Sequence, residues 1–359
     1  MKTTVKTSEF VNALALVIDS IDKRANNPLL TYCVMEATNG FVNLTGFDFK
    51  TMTKISISGE TFVEGEVLFS PQIALPLCQK LQSATVTFSA ENSQLYINQN
   101  YQIECISADD YPVLPSLSGE FISLPVEDLQ RHLSFALVVI SNEEHRGILT
   151  GINISCKGNT ISMAATDGHR LAVAEFASSV QIPNCTIAGE GVRRLLKLLK
   201  KYVGAVQILF DNSHVQFVAG NYTFTSRLLD GIYPDYRKLI PRDFARRVVL
   251  ERDSLIHALD CLSVLVGRRN VIKFSINSDF VTLTTEKGEL GNGQEHIPAK
   301  IEGEALDVAF NIKYILDGLK AMSTDQVEML LNSANEPVVF SPIDGDQCLY
   351  LVMPILLKN

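Results

Sequence analysis

No two of the seven cysteines lie closer than Cys78 and Cys105, 27 positions apart. The C-x-x-C spacing of a structural zinc site or a dithiol redox centre is therefore missing. Thiols so dispersed (Cys33, Cys156, Cys185, Cys261 and Cys348 complete the set) are expected to stay reduced, as in a cytoplasm. No run approaches the ~18 apolar residues that a membrane span requires. The opening stretch, MKTTVKTSEFVNALALVIDSID, has two lysines before an apolar segment, but Asp19 and Asp22 interrupt it and no small-residue cleavage site follows. Phe10, Leu14, Val17, Ile18 and Ile21 instead recur at helical spacing, which predicts an amphipathic helix rather than a secretory signal. G-x-S-x-G, the phosphate-binding G-x-x-x-x-G-K and H-E-x-x-H do not occur, and the six histidines are scattered. Net positive charge is lacking too: the balance of −9 argues against a chain that simply coats nucleic acid.

What is present is an ordinary globular composition, 46% hydrophobic and 20% charged, in a chain of 359 residues, long enough for two or three domains. It is organised as a threefold repeat. Three segments read as an apolar helix, an arginine and an apolar strand, and their arginines, Arg24, Arg146 and Arg269, lie 122 and 123 positions apart. Acids end the next predicted strands at Asp48, Asp167 and Glu286, twice 119 apart. A second helix follows in each copy (SPQIALPLCQKLQS, GEGVRRLLKLLKKY, NIKYILDGLKAMS), then a strand-like pair, then Tyr111-Pro112, Tyr233-Pro234 or Met353-Pro354. Landmarks that stay in step over three copies define a repeat architecture. Domains are expected at 1–120, 121–246 and 247–359, each with two helices and about eight short alternating strands, an α+β class with antiparallel sheet and helices on one face.

Positive charge collects in the middle copy, which carries 14 basic and 11 acidic residues against 7 and 13 in the first and 10 and 16 in the third. There Arg193, Arg194, Lys197, Lys200 and Lys201 fall on one helical face, with Val192, Leu195, Leu196, Leu199 and Tyr202 opposite. A solvated helix surface accounts for such a stripe, and so does a phosphate-binding one. No aromatic or amide residues interleave with the cations, so any nucleic-acid contact would be to the backbone and blind to base sequence. Asp167, His169 and Arg170 in AATDGHRLAV could serve as acid, base and anion clamp of a hydrolase. An acid at the matching place in every copy points instead to a strand-end hydrogen-bonding role. Only His169 and Arg170 are special to the middle copy.

ATDGHRLAV, SRLLDGIYPDYRKLIP and the terminal YLVMP, in that order, resemble the bacterial DNA polymerase III beta subunit, the sliding-clamp family, and the likeness covers the whole chain. The resemblance implies three clamp domains with sheet outside and helices inside, and a head-to-tail homodimer that rings duplex DNA. It further implies no catalysis and no cofactor or metal, with a replicative polymerase, a clamp loader and clamp-binding repair proteins as partners. By the same resemblance a partner-peptide pocket is formed by Leu149, Thr166, Gly168, His169, Arg170, Leu171, Pro234, Lys238, Leu239, Leu351, Val352, Met353, Pro354 and Ile355. The DNA contacts it implies are Arg24 and Arg146, to which the charge pattern adds Arg193, Arg194, Lys197, Lys200 and Lys201 and, on the equivalent helices, Lys80, Lys313 and Lys320. The departures from the family pattern are Gly147 and Ile148 where bulkier polar or aromatic residues are common, AGEG at 188–191 where a basic pair is common, Lys238 for arginine, and an end at Lys358-Asn359 two residues past the usual stop. A repeat protein that coats or scaffolds DNA without forming a ring is the remaining reading of another class.

Overall fold

The computed structural model describes residues 1–22, 26–286, 291–345 and 347–356. The first copy runs β1 (Lys2–Lys6), α1 (Thr7–Val17), β2 (Cys33–Thr38), β3 (Phe41–Phe47), β4 (Thr51–Val63), β5 (Gly65–Phe69), α2 (Pro71–Gln79), β6 (Thr85–Glu91), β7 (Gln94–Ile97) and β8 (Tyr101–Ile106). The second runs β9 (Ile122–Pro125), α3 (Val126–Leu137), β10 (Gly151–Lys157), β11 (Thr160–Thr166), β12 (Arg170–Ala177), β13 (Cys185–Ala188), α4 (Gly189–Leu199), β14 (Ala205–Phe210), β15 (His214–Ala219) and β16 (Tyr222–Arg227). The third runs β17 (Arg246–Glu251), α5 (Arg252–Ser263), β18 (Val271–Ile276), β19 (Phe280–Thr285), β20 (Gln294–Glu302), β21 (Leu306–Asn311), α6 (Ile312–Ala321), β22 (Gln326–Leu331), β23 (Val338–Pro342) and β24 (Gln347–Val352). Among the described residues each copy thus has eight strands and two helices in the same order, and all strand pairs are antiparallel.

Pairing also repeats. Within every copy the first strand pairs the sixth, the sixth the seventh and the seventh the eighth, while the second pairs the third and fifth and the third pairs the fourth. Two pairings cross between copies. β4 pairs β16 (Tyr222 opposite Ile55), and β12 pairs β24 (Leu171 opposite Leu351). Each join therefore links the fourth strand of one copy to the eighth strand of the next.

These joins make the compact units of the chain differ from its repeats. One unit holds residues 1–130 and 190–228, the other 131–189 and 229–359, so each contains one terminal copy and half of the middle one. In the first unit Phe10 and Leu14 of α1 pack onto the sheet, with the Phe10 and Phe88 rings 4.5 Å apart. Gly46 on β3 permits that approach, because a Cβ there would lie 2.6 Å from the Val17 carbonyl oxygen. In the second unit Leu255, Leu259 and Leu262 of α5 and Ile312, Ile315 and Leu319 of α6 are buried, with Phe274, Phe310 and Phe340 ring to ring behind them. The apolar residues of α1, α5 and α6 that recur every three or four positions are the buried ones, as helical periodicity requires.

Candidate partner-binding site

The acid that ends a strand has the same task in two copies. Asp48 Oδ1 accepts from the Lys50 and Thr51 amides at 3.0 and 2.7 Å, closing the turn between β3 and β4. Asp167 Oδ1 accepts from the His169 and Arg170 amides at 2.9 and 3.0 Å, closing the turn between β11 and β12. Gly168 in that second turn has φ +88°, a left-handed conformation that glycine adopts without steric cost. Its missing side chain also admits Arg146, whose Nη1 would lie 3.2 Å from a Cβ and donates to the Asp167 carbonyl at 2.6 Å. Thr166 completes the turn: its hydroxyl donates to the Arg170 carbonyl and accepts from the Gly168 amide, while its own amide donates to the Tyr233 hydroxyl at 3.0 Å.

The chain's end is seated against this turn. β24 pairs with β12, the Met353 amide then donates to the His169 carbonyl at 2.9 Å, and the Ile355 amide to the Ala309 carbonyl at 2.7 Å. On one face of the β12–β24 pair, Leu171, Val173 and Leu351 form a cluster with Ala164, Tyr233, Tyr236 and Val339, against which Ile148, Leu149, Ile240 and Leu349 pack half-buried. Leu239 and Met353 remain 56% and 40% exposed, and Pro234 is exposed as well. The result is an apolar surface with a polar turn at its edge, all of it within the second unit. Lys238 projects beside it, paired with Asp235 at 3.1 Å.

Two of the expected pocket residues act from behind the surface rather than on it. Val352 is fully buried on the opposite face, where strand alternation puts it with Tyr350 and Arg170. Arg170 is 11% exposed and donates to Asp167 Oδ2 (3.0 Å), Asp317 Oδ2 (2.6 Å) and the Tyr350 hydroxyl (3.3 Å), its guanidinium lying 4.3 Å from the centre of the Tyr314 ring. Burial works against its charge, but Tyr350, Asp317 and Asp167 outweigh that and hold its pKa above the usual arginine value. Through these bonds Arg170 ties the turn to α6. The hydrolase reading fails on the same geometry. Asp167 is saturated by two amides and Arg170, and the His169 ring lies alongside Tyr314, centroids 6.4 Å apart, so no acid–base pair is assembled. Among the described residues no group of three His, Cys, Asp or Glu side chains could hold a metal ion, and no helix is long and apolar enough to cross a membrane.

The cationic stripe on α4 is shorter than the sequence suggests. The helix ends at Leu199, so Lys200 and Lys201 lie in the following turn, exposed and without an ion pair among the described residues. Arg194 is drawn in to Asp48 (2.6 Å) and Thr51, and Lys197 to Asp19 (2.5 Å), while Arg193 lies 3.5 Å from Glu190. Arg194 is thus a brace between α4 and the Asp48 turn, a correction to its expected place among free cations. Arg146 is likewise engaged, by Glu143 (2.5 Å) and the Asp167 carbonyl. Lys80 and Lys313 are exposed, and Lys320 pairs with Asp260 at 2.9 Å. Arg24 and Lys358-Asn359 lie outside the described residues.

Three copies of one sheet-and-helix domain, joined fourth strand to eighth and carrying an apolar surface at the second join, define the class of the protein as a threefold α+β repeat. Models of the N-terminal, central and C-terminal domains of the DNA polymerase III beta subunit match residues 1–115, 123–235 and 237–356. The chain is 33% identical to a beta sliding clamp of Synechocystis sp. over all of both chains, and 32% identical to that of Staphylococcus epidermidis over 99% of each. Its fold matches the DNA polymerase sliding clamp of Bacillus subtilis with a TM-score of 0.96 at 28% identity over all of both chains. A Bartonella birtlesii sliding clamp bound to griselimycin matches at 0.94 and 27%, over 99% of this chain and all of that one. The chain belongs to the DNA polymerase III beta subunit family, the beta sliding clamps. Its function is that of a processivity clamp for a DNA polymerase, not that of an enzyme.

Proposed function

We propose that two copies of this chain join head to tail into a ring around duplex DNA, using domains at 1–120, 121–246 and 247–359. The observation that carries this is the pattern of strand pairing. β4 pairs β16 and β12 pairs β24, so the fourth strand of each copy takes the eighth of the next. Among the described residues β8, which pairs β5 only at Cys105 and Ile106, is then the one eighth strand, and β20, which pairs β17 only from Ala299 to Glu302, the one fourth strand, that no neighbouring copy takes. A second chain supplies each with its complement, and satisfying both edges at once closes the assembly. Tyr101 and Ile106 of β8 are exposed, and Phe280 lies exposed beside β20, as a surface covered by a partner would. The family models at 1–115, 123–235 and 237–356 support the domain limits.

DNA is held by its phosphates, through Lys200, Lys201, Arg193 and Lys197 of the middle copy, with Arg24, Arg146, Lys80, Lys313 and Lys320 as further candidates. Contacts to the backbone alone leave the ring free to slide. The polymerase, the clamp loader and clamp-binding repair proteins dock peptides on the surface built by Leu149, the Thr166–His169 turn, Leu171, Pro234, Leu239, Leu351, Met353 and Ile355, and the protein works in the cytoplasm. The griselimycin-bound state of the Bartonella relative supports a ligand-binding surface on this fold. His169→Ala is expected to weaken a partner peptide about tenfold in a titration while sedimentation still finds a dimer. The ring itself is tested by retention on nicked circular against linear DNA after loading; equal retention on both rules out topological tethering.

A further inference from the structure

Along β12 and β24 the apolar surface continues beyond the partner site into a cleft of about 390 Å³. Its floor is Val173, Leu349, Tyr236 and Ile240, and its far wall is Pro342 and Ile343 at the end of β23. The strand register makes the continuity explicit: Leu171 opposite Leu351 at the partner site, Val173 opposite Leu349 inside the cleft, Glu175 opposite Gln347 at its mouth. Leu171 to Glu175 is four residues, or ~13 Å at ~3.3 Å per residue, a distance that about four extended peptide residues span.

The cleft itself is lined by one cation and one anion, and the charged residues of the opening beyond it are all acids. Arg237 is the basic residue among those lining it, and its guanidinium is held against the wall, 4.9 Å from the centre of the Tyr236 ring and donating to Ser162 at 3.2 Å. Glu175 sits at the mouth, where it accepts from Ser162 at 2.6 Å. Beyond Ile343 the cleft meets a second opening of about 510 Å³ lined by Glu251, Asp325 and Asp344 with Ser323, Thr324 and Gln326, and no basic residue lines it. A chain leaving the apolar cleft in that direction passes three carboxylates.

We propose that this cleft is a further subsite of the partner-binding surface, taking one apolar side chain of a partner peptide while basic residues next to it meet Asp344, Asp325 and Glu251. The proposal rests on the partner-site reading above, and its continuity with that site and the sign of its rim select the occupant. An apolar side chain of about Phe size gains burial in the cleft, and lysines or arginines gain from the acidic rim. An acidic continuation is repelled.

The test uses the full-length protein and synthetic peptides in fluorescence anisotropy: a pentapeptide ending in two apolar residues, and the same peptide extended through a four-residue Gly-Ser linker, at either terminus, with Phe-Lys-Lys or Phe-Glu-Glu. The basic extension is expected to tighten binding about tenfold. In a Gln347→Cys variant, whose new thiol shares the cleft face with Val173 and Leu349, the basic extension should also slow N-ethylmaleimide modification at that position, as followed by peptide mass spectrometry. Ile343→Lys and Asp344→Lys, outside the partner site, should remove both effects and leave the short peptide's affinity unchanged. Equal affinity of short and extended peptides, equal affinity of the two extensions, or a gain that survives Ile343→Lys overturns the proposal. If the short peptide does not bind at all, the partner-site reading fails; the cleft then stands if the basic extended peptide still protects the thiol of the Gln347→Cys variant, and falls with it if it does not.

Discussion

At the scale of single residues, the site is governed by buried polar groups and the partners that satisfy them. The Thr166 amide is buried, and the Tyr233 hydroxyl is what it donates to, so one phenol oxygen holds the turn that carries Gly168 and His169. Tyr233→Phe removes the acceptor without changing the shape of the cluster; it is expected to cost about 1–3 kcal/mol, read from the urea midpoint. Gly318 has an equally local logic: a Cβ there would run into the Tyr350 ring, and Tyr350 both accepts from Arg170 and donates to the Tyr314 carbonyl. The thiols follow their surroundings. Burial pushes Cys78 and Cys185 up to about 12, whereas Cys261 is exposed on α5. At about pH 7.5 the thiolate, the reactive form, is negligible at the two buried positions. Iodoacetamide should therefore modify Cys261 in the native protein and reach Cys78 and Cys185 only in denaturant, with peptide mass spectrometry as the readout.

At the scale of elements, α4 shows how periodicity and partners divide the information. Its apolar face is readable in sequence: Val192, Leu195 and Leu199 are buried as the helical repeat requires, with Leu198 added. Its cationic face is not, because helical spacing says which side chains share a face but not which acids stand opposite. Asp48 and Asp19, more than a hundred positions earlier in the chain, take up Arg194 and Lys197. The two roles separate on substitution. Arg194→Ala is expected to lower stability by about 1–3 kcal/mol, since Asp48 is only 9% exposed, with little effect on DNA retention. Lys200→Ala with Lys201→Ala should leave the melting temperature in place and reduce the slope of log affinity against log salt by up to about 0.9 for each phosphate that these lysines neutralise.

At the scale of the whole molecule, the proposed assembly depends on β8 and β20. Tyr101 and Ile106 are 43% and 38% exposed on β8, so charging them does not disturb the core of one chain but buries a charge in the dimer. Tyr101→Arg with Ile106→Arg should give monomers in sedimentation, with unfolding of each chain near that of the unaltered protein, and should abolish retention on circular DNA. A dimer that survives both substitutions places the interface elsewhere.

The threefold repeat, the α+β class, the order of helix and strand in each copy and the turn acids Asp48 and Asp167 were readable in the amino-acid order, because periodicity and capping chemistry act over a few residues. The residues proposed for the partner site came from motifs, whereas their division into apolar-face (Leu149, Leu171, Met353) and supporting (Arg170, Val352) positions was not readable, since the register of β12 against β24 joins strands from two different copies of the repeat. The same holds for the neutralised cations of α4, the compact units that cut across the repeats, and the cleft beside Tyr236. Local sequence specifies which face of an element is apolar; which distant strand or acid meets that face is decided only when long-range pairing brings the two together.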